Sequence, residues 1–206
     1  MDIQTFPLGP LQTNCYVLAG DTEAVVVDPG GAPDAVLNYL KSNGLTLTHI
    51  LNTHLHFDHT YGNKALAEAT GAPILCSEED AGLLETELGQ GGMFGLPPVD
   101  AFKPEFISPG ETVYAGFKCS TFHTPGHSTG SLTFYFPEAN AAFVGDLIFY
   151  RSIGRTDFPG GDLDVLKQSV KEHIFTLPKE TQLFSGHGQM TTVGDEMTHN
   201  PFLSDF

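Results

Sequence analysis

Apolar positions near the start of the chain fall into short, nearly continuous runs. "NCYVLAG" and "EAVVVDPG" are each closed by a Gly or Asp-Pro-Gly turn signal, which predicts an antiparallel meander of strands. The period then lengthens. Val36, Leu37 and Leu40 sit at helical spacing behind Pro33, predicting a helix over Ala32–Leu40, before "LTHILNT" returns to strand. Thr60–Ala69 again reads as helix, with Gly71 as its stop. A second β-rich block follows in "TVYAGFKCSTFHT", "GSLTFYFPE" and "NAAFVGD". A helix over Leu163–Ile174 begins after "PGGD", and "TQLFSGH" forms a last strand before a polar tail with the makings of a terminal helix. Strands, helix, strand and helix, followed by strands, helix and strand, predict an α+β fold of two packed sheets with helices outside.

The chain has 206 residues, enough for one sizeable core and short for two, so a single domain over 1–206 is expected. No linker, short-period repeat or low-complexity tract interrupts it. Glu85–Asp100, "ETELGQGGMFGLPPVD", is rich in Gly and Pro yet carries Met93, Phe94 and Leu96. It reads equally as a lid with an apolar tip and as an irregular surface loop tucked onto the core.

Charge narrows the partners. Nine Lys and Arg against 25 Asp and Glu leave a formal net charge of -16, a potential that repels phosphate backbones and anionic lipid alike. Neither nucleic acid nor a membrane is an expected partner. The N-terminus lacks a basic segment followed by an apolar stretch, so a cytoplasmic protein is expected. Cys15, Cys76 and Cys119 are odd in number, widely spaced and never in a Cys-x-x-Cys pair, which predicts buried, reduced thiols.

The chemistry concentrates in "ILNTHLHFDHTYGN", where His54, His56, Asp58 and His59 occupy six consecutive positions behind an apolar strand. Desolvating three imidazoles and a carboxylate separately is costly, and one bound cation satisfies them together. In an extended segment side chains alternate, so His54, His56 and Asp58 are expected on one side and His59 on the other. Three further ligands stand at apparent strand ends in glycine-bearing turns: His127 in "HTPGHSTGS", Asp146 in "FVGDLIF" and His187 in "FSGHGQM". Five histidines and two aspartates exceed one tetrahedral zinc and suit two metals sharing a carboxylate. His49, His123, His173 and His199 are isolated and read as ordinary hydrogen-bonded histidines.

These residues resemble the metallo-β-lactamase superfamily, with its His-x-His-x-Asp-His motif at His54–His59 and His127, Asp146 and His187 following in the family's order. The resemblance implies a four-layer αββα sandwich with the metals at one edge. It also implies a ligand split in which His54, His56 and His127 take one ion, Asp58, His59 and His187 the other, and Asp146 bridges. "GRTDFPGGD", "SGHG" and the late "NPFL" look like the glyoxalase II group, implying a thioester hydrolase acting on a substrate such as S-D-lactoylglutathione. Two divalent ions, zinc foremost with iron or manganese as alternatives, lower the pKa of a bridging water from about 15.7 to roughly 7. On this resemblance a hydroxide would attack the carbonyl, with Asp58 expected both to hold the second metal and to accept the hydroxide's hydrogen bond. A thiolate departs without a strong general acid.

The only two arginines, Arg151 and Arg155, both follow Asp146 in "FYRSIGRTDF". Arg155 is read either as the contact for the carboxylate of a small anionic thioester or as a brace on Asp157, and Arg151 as a surface residue. Full-length glyoxalase II enzymes hold glutathione with a basic C-terminal helical region; no such region is expected here, since no Lys or Arg follows Lys179. A rival reading is a mononuclear-iron persulfide dioxygenase, a group that resembles this chain in the Gly-Arg-Thr-Asp-Phe run. Ile153 stands where that group carries a cysteine. Lactone or ester hydrolysis is a third reading. β-Lactam hydrolysis is set aside on the N-terminus and the Asp58-His59 pair.

Overall fold

The computed structural model describes residues 1–93 and 95–204. The chain divides into two compact units, one of Met1–Ile107 with Val113–Phe117, the other of Ser108–Thr112 with the chain from Lys118 onward.

In the first unit a six-stranded sheet runs in sequence order: β1 (Asp2–Leu8), β2 (Thr13–Ala19), β3 (Glu23–Val27), β4 (Thr46–Leu51), β5 (Ile74–Cys76) and β6 (Glu105–Phe106). The first three strands pair antiparallel, as the meander expectation had it, and β3 to β6 pair parallel. Every residue of β2 is buried, the polar Thr13 and Asn14 that open it as well as the apolar run behind them. The first crossover passes through α1 (Asp34–Ser42), which starts behind Pro33 and turns Val36 and Leu40 onto the sheet. The second carries α2 (Phe57–Thr60) and α3 (Asn63–Thr70). Gly71 caps α3 at φ 77°, a left-handed stop that suits glycine. Val17, Val26, Ile50, Val36, Leu40 and Leu66 form the core beneath these helices. A 3₁₀ segment, Glu78–Glu85, and α4 (Glu87–Gln90) follow. The Gly/Pro-rich stretch is tied together by a bridge between Gly91 and Pro98 and by Val99 N–H donating to the Gln90 carbonyl at 2.7 Å. Phe94 lies outside the described residues.

The other sheet, most of it in the second unit, has the order β14-β13-β10-β9-β8-β7. Its strands are β7 (Gly110–Tyr114), β8 (Phe117–His123), β9 (Leu132–Phe136), β10 (Ala141–Gly145), β13 (Gln182–Ser185) and β14 (Thr191–Thr192), with a separate ribbon of β11 (Ile148–Phe149) and β12 (Ser152–Ile153). The run "TVYAGFKCSTFHT" is broken by positive φ at Ala115 (47°) and Gly116 (80°). Helix α5 (Leu163–Ser169) is capped by the Asp162 carboxylate, which accepts from the amides of Asp164 and Val165, and continues through a wider turn over Val170–Ile174. α6 (Val193–His199) closes the chain. Leu166, Val170, Ile174, Val144 and Leu183 make the core under α5.

The described residues therefore form a mixed α/β fold of two six-stranded sheets and six α-helices. Among them no helix is long and apolar enough to cross a membrane.

Candidate metal centre

Parallel pairing brings the C-terminal ends of β3 and β4 side by side, and the candidate ligands emerge there. Asp28 follows β3 at φ 50°, with its amide donating to the Leu51 carbonyl at 3.0 Å. After Leu51 the ladder gives way to side-chain acceptors: Asp28 Oδ1 takes the Thr53 amide at 2.8 Å and Asp80 Oδ2 takes that of Leu55 at 3.2 Å. The segment therefore does not stay extended. It turns helical at Phe57, and His59 N–H donates to the His56 carbonyl at 3.0 Å. This corrects the expectation that His59 points away from His54 and His56. A helical step of about 100° sets Asp58 and His59 beside one another, and the His59 ring centroid lies 4.1 Å from that of His54. His56 stands 4.7 Å from His54, nearly perpendicular. The ligating atoms of His54 lie within 4.8 Å of those of His56 and of His59. Those of Asp58 and His59 are equally close, with His59 Nε2 at 3.7 Å from Asp58 Oδ2.

Hydrogen bonds assign the tautomers. The His59 Nδ1–H donates to Asp28 Oδ2 at 3.0 Å, because a carboxylate only accepts. Thr53 Oγ1 spends its one proton on the same Asp28 Oδ2 at 2.6 Å. Toward His54 Nδ1, 3.1 Å away, that hydroxyl can only accept, so His54 also carries its proton on Nδ1. Both rings are left with a lone pair at Nε2, the form in which imidazole binds metal. Asn52 Nδ2 donates to the His59 carbonyl at 3.2 Å and Thr13 Oγ1 to Asp58 Oδ2 at 3.4 Å. Gly30 is pressed against this turn: a Cβ there would lie 1.9 Å from the Asp58 carbonyl oxygen.

In the second unit, parallel β10 and β13 end together and deliver Asp146 and His187. Gly145 at φ 52° lets the backbone turn there, and Gly186 N–H donates to its carbonyl at 2.8 Å. His127 sits in the turn after β8, where Gly126 packs without room for a Cβ on Leu166 of α5. His127 Nε2 and His187 Nε2 each lie 3.7 Å from Asp146 Oδ2. The His127 Nδ1–H donates to the Arg155 carbonyl at 2.8 Å, leaving Nε2 a lone pair toward that carboxylate. Two lone-pair atoms at this spacing fit ligands held roughly 2.0–2.2 Å from one cation. The donor set of imidazole and carboxylate suits zinc, iron or manganese alike.

Arg155 contributes its carbonyl, while its guanidinium makes a bidentate pair with Asp157 at 2.8 and 2.7 Å and covers the face of Phe158 at 3.7 Å. The guanidinium holds the Asp157 carboxyl down to about 2. Arg151 departs from its expected surface role. Its backbone and guanidinium both donate to Glu196, which is fully buried in α6 and also accepts from Thr191 and Asn200. A second carboxylate, Asp195, meets the same guanidinium at 2.7 Å. Asn200 of "NPFL" further donates to the Ser152 carbonyl at 2.9 Å, so α6 braces the loop that carries Arg155. His123 Nε2 bonds the Thr129 carbonyl and His199 pairs with Asp195, in keeping with their ordinary hydrogen-bonded reading, while His173 stacks on Phe122. His49 departs from that reading: its ring packs edge-on to Tyr114 and its buried Nδ1 has no hydrogen-bond partner among the described residues. The three cysteines are buried and free, as expected. Sequence reasoning missed Asp28 and Thr53, and the available signal was the Asp-Pro-Gly turn ending the strand beside the histidine cluster.

The chain belongs to the metallo-β-lactamase superfamily, whose family model matches residues 8–187 and so runs through both units. It has that superfamily's fold, as the motif resemblance implied. Among curated relatives it is 37% identical to a probable metallo-hydrolase, YqgX, of Bacillus subtilis, covering 100% of this chain and 99% of that one. It is likewise 37% identical to the hydroxyacylglutathione hydrolase GloC of Haemophilus influenzae, covering 99% of each. A crystal structure described as the BLEG-1 B3 metallo-β-lactamase superposes with a TM-score of 0.93 at 41% identity, covering 98% of this chain and all of that one. Set beside these relatives, the chain is a metallo-hydrolase of this superfamily.

Proposed function

We propose that the protein hydrolyses a thioester of the S-D-lactoylglutathione kind at a centre of two divalent ions. The observation that carries this reading is the set of Nδ1 contacts, His54 on Thr53 Oγ1, His59 on Asp28 Oδ2 and His127 on the Arg155 carbonyl, which assign the proton to each Nδ1 and make each Nε2 the atom that would meet a metal. His54, His56 and His127 would hold one ion, Asp58, His59 and His187 the other, and Asp146 both. When bound, the ions bring the pKa of a water into the neutral range and polarise the substrate carbonyl. Asp58, steadied by Thr13 and by the close packing of Gly30, accepts the attacking water's proton in a hydrogen bond. The leaving thiol is acidic enough, at about 8.5 for an ordinary thiol, to depart as thiolate without a protein acid. Arg155 serves chiefly through its carbonyl, and holding a substrate carboxylate would require its guanidinium to exchange Asp157 for the substrate. The name borne by the Haemophilus influenzae relative supports the thioester choice.

The test is thiol release from S-D-lactoylglutathione by purified protein, before and after chelation, with metal content measured alongside. The reading expects release that is lost on chelation and restored at two ions per chain. Negligible release by the two-ion protein, with turnover of a lactone or a chromogenic β-lactam in the same panel, overturns the thioester. One iron per chain with persulfide consumption overturns the hydrolytic centre altogether.

A further inference from the structure

Asp28 stands among apolar strands at 2% exposure and Thr53 beside it is equally buried, yet neither was assigned a role by the ligand motif. Their bonds form one branched path. Asp28 Oδ2 accepts from His59 Nδ1 at 3.0 Å and from Thr53 Oγ1 at 2.6 Å, and Thr53 Oγ1 in turn accepts from His54 Nδ1 at 3.1 Å. Asp28 Oδ1 is occupied by the Thr53 amide at 2.8 Å, which prevents the carboxylate from rotating away. The backbone supports the same geometry: Asp28 is held in the left-handed region at φ 50°, a conformation uncommon outside Gly, Asn and Asp.

We infer that Asp28 and Thr53 are positioning residues that set two metal ligands at once, with one carboxylate orienting His59 directly and His54 through the threonine hydroxyl. On the dinuclear reading above, on which this inference rests, His54 and His59 belong to different ions. A single buried carboxylate then couples the two sites, and the branch through Thr53 reaches only the first. The hydroxyl is essential to that branch because it must donate to Asp28 and accept from His54 simultaneously. Serine satisfies both demands and valine neither.

Thr53→Val, Thr53→Ser and Asp28→Asn separate these roles. Asparagine tolerates the positive φ, so Asp28→Asn tests the acceptor with the backbone conformation retained. The first readout is independent of bound metal: long-range proton–nitrogen spectra of the metal-free protein at about pH 8.5, roughly two units above the ordinary imidazole pKa. The wild type is expected to show His54 and His59 as Nδ1–H tautomers, Thr53→Val to release His54 alone, and Thr53→Ser to match the wild type. The second readout is metal affinity by competition with a chromogenic chelator. Thr53→Val is expected to weaken one of two ions by about 10- to 100-fold and Asp28→Asn both. A two-ion wild type whose Thr53→Val variant keeps both ions at unchanged affinity overturns the relay, as does an Nε2–H tautomer of His54 in the wild type. A wild type that binds one ion overturns the dinuclear reading instead, and the tautomer spectra still decide the relay. Should Asp28→Asn fail to fold, the Thr53 pair decides by itself.

Discussion

Gly154 offers a direct test of how tightly the second unit's ligands are built. A Cβ at this position would lie 1.7 Å from the Asp146 carbonyl oxygen and 3.3 Å from His127 Nδ1. An ordinary carbon–oxygen contact is about 3.3 Å or longer, so Gly154→Ala requires a displacement of roughly 1.6 Å. Neither neighbour is a flexible side-chain end. The first is the backbone of a proposed ligand, and Gly154 itself is anchored by its amide on the Leu147 carbonyl at 3.2 Å. The next residue, Arg155, supplies the carbonyl that orients His127. The added methyl must therefore move Asp146, or move Arg155 and with it the His127 ring. Overpacking of this kind costs about 1–3 kcal/mol, which for a chain of this size lowers Tm by roughly 2–12 °C. Misplacing a reacting group by about 1 Å costs on the order of 100-fold in rate. The assay is kcat/KM for the proposed thioester hydrolysis at saturating metal, with metal content and thermal unfolding of the same preparation. Gly82→Ala is the control, because a Cβ there meets nothing within 4 Å. A Gly154→Ala protein with the wild-type metal complement and unchanged kcat/KM would refute the claim that Gly154 is required by the packing of Asp146 and His127.

Three further outcomes follow from the same geometry. Gly30→Ala places a methyl 1.9 Å from the Asp58 carbonyl oxygen and 2.8 Å from Thr13 Cβ, and is expected to lower metal content while leaving most of the fold intact by circular dichroism. Burial pushes the Cys76 and Cys119 thiols up to about 12 and Cys15 well above its usual range, the last helped by the Asp28 charge. Iodoacetamide at about pH 8 should therefore label none of them until denaturant is added, as mass spectrometry will show; rapid native labelling contradicts the assigned burial. Asp157 is depressed from 3.8 to about 2 by its Arg155 partner, so the pair contributes above the unfolded value and is lost only as pH falls through about 2. A carboxyl titration followed by NMR should place Asp157 near 2, with Arg155→Gln returning it toward the ordinary range.

Much of the fold was legible because burial leaves a periodic mark. The nearly continuous apolar runs of β2 and β3, the helical spacing of Val36 and Leu40, Gly71 as a stop and Asp162 as a cap all act within a few residues of chain. Strands β1, β5 and β6 left no such mark. β1 mixes Asp2, Gln4 and Thr5 with Ile3, Phe6 and Leu8, buries none of them fully and carries Pro7 at a sheet edge, while β5 and β6 span three and two residues and exist only because neighbours supply the pairing. The candidate ligands were legible as residue types, since few other reasons crowd His54, His56, Asp58 and His59 together. Their directions were not. Alternation fails at His59 because the Thr53 and Leu55 amides bond to Asp28 and Asp80, partners 25 residues away in either direction.

The same division separates the arginines. Their position after Asp146 could be read from the chain, but their partners could not. Asp157 lies two residues from Arg155, whereas Glu196 lies 45 residues from Arg151 and is brought to it by the packing of α6. By itself the sequence determined which elements form and which chemistry the chain can offer, because propensity, capping and ligand type are local properties. Tertiary structure alone decided the aim of each imidazole and the work of Asp28, Thr53, Gly154 and Glu196, because a hydrogen bond or a steric contact depends on distance in space and leaves no period in the chain.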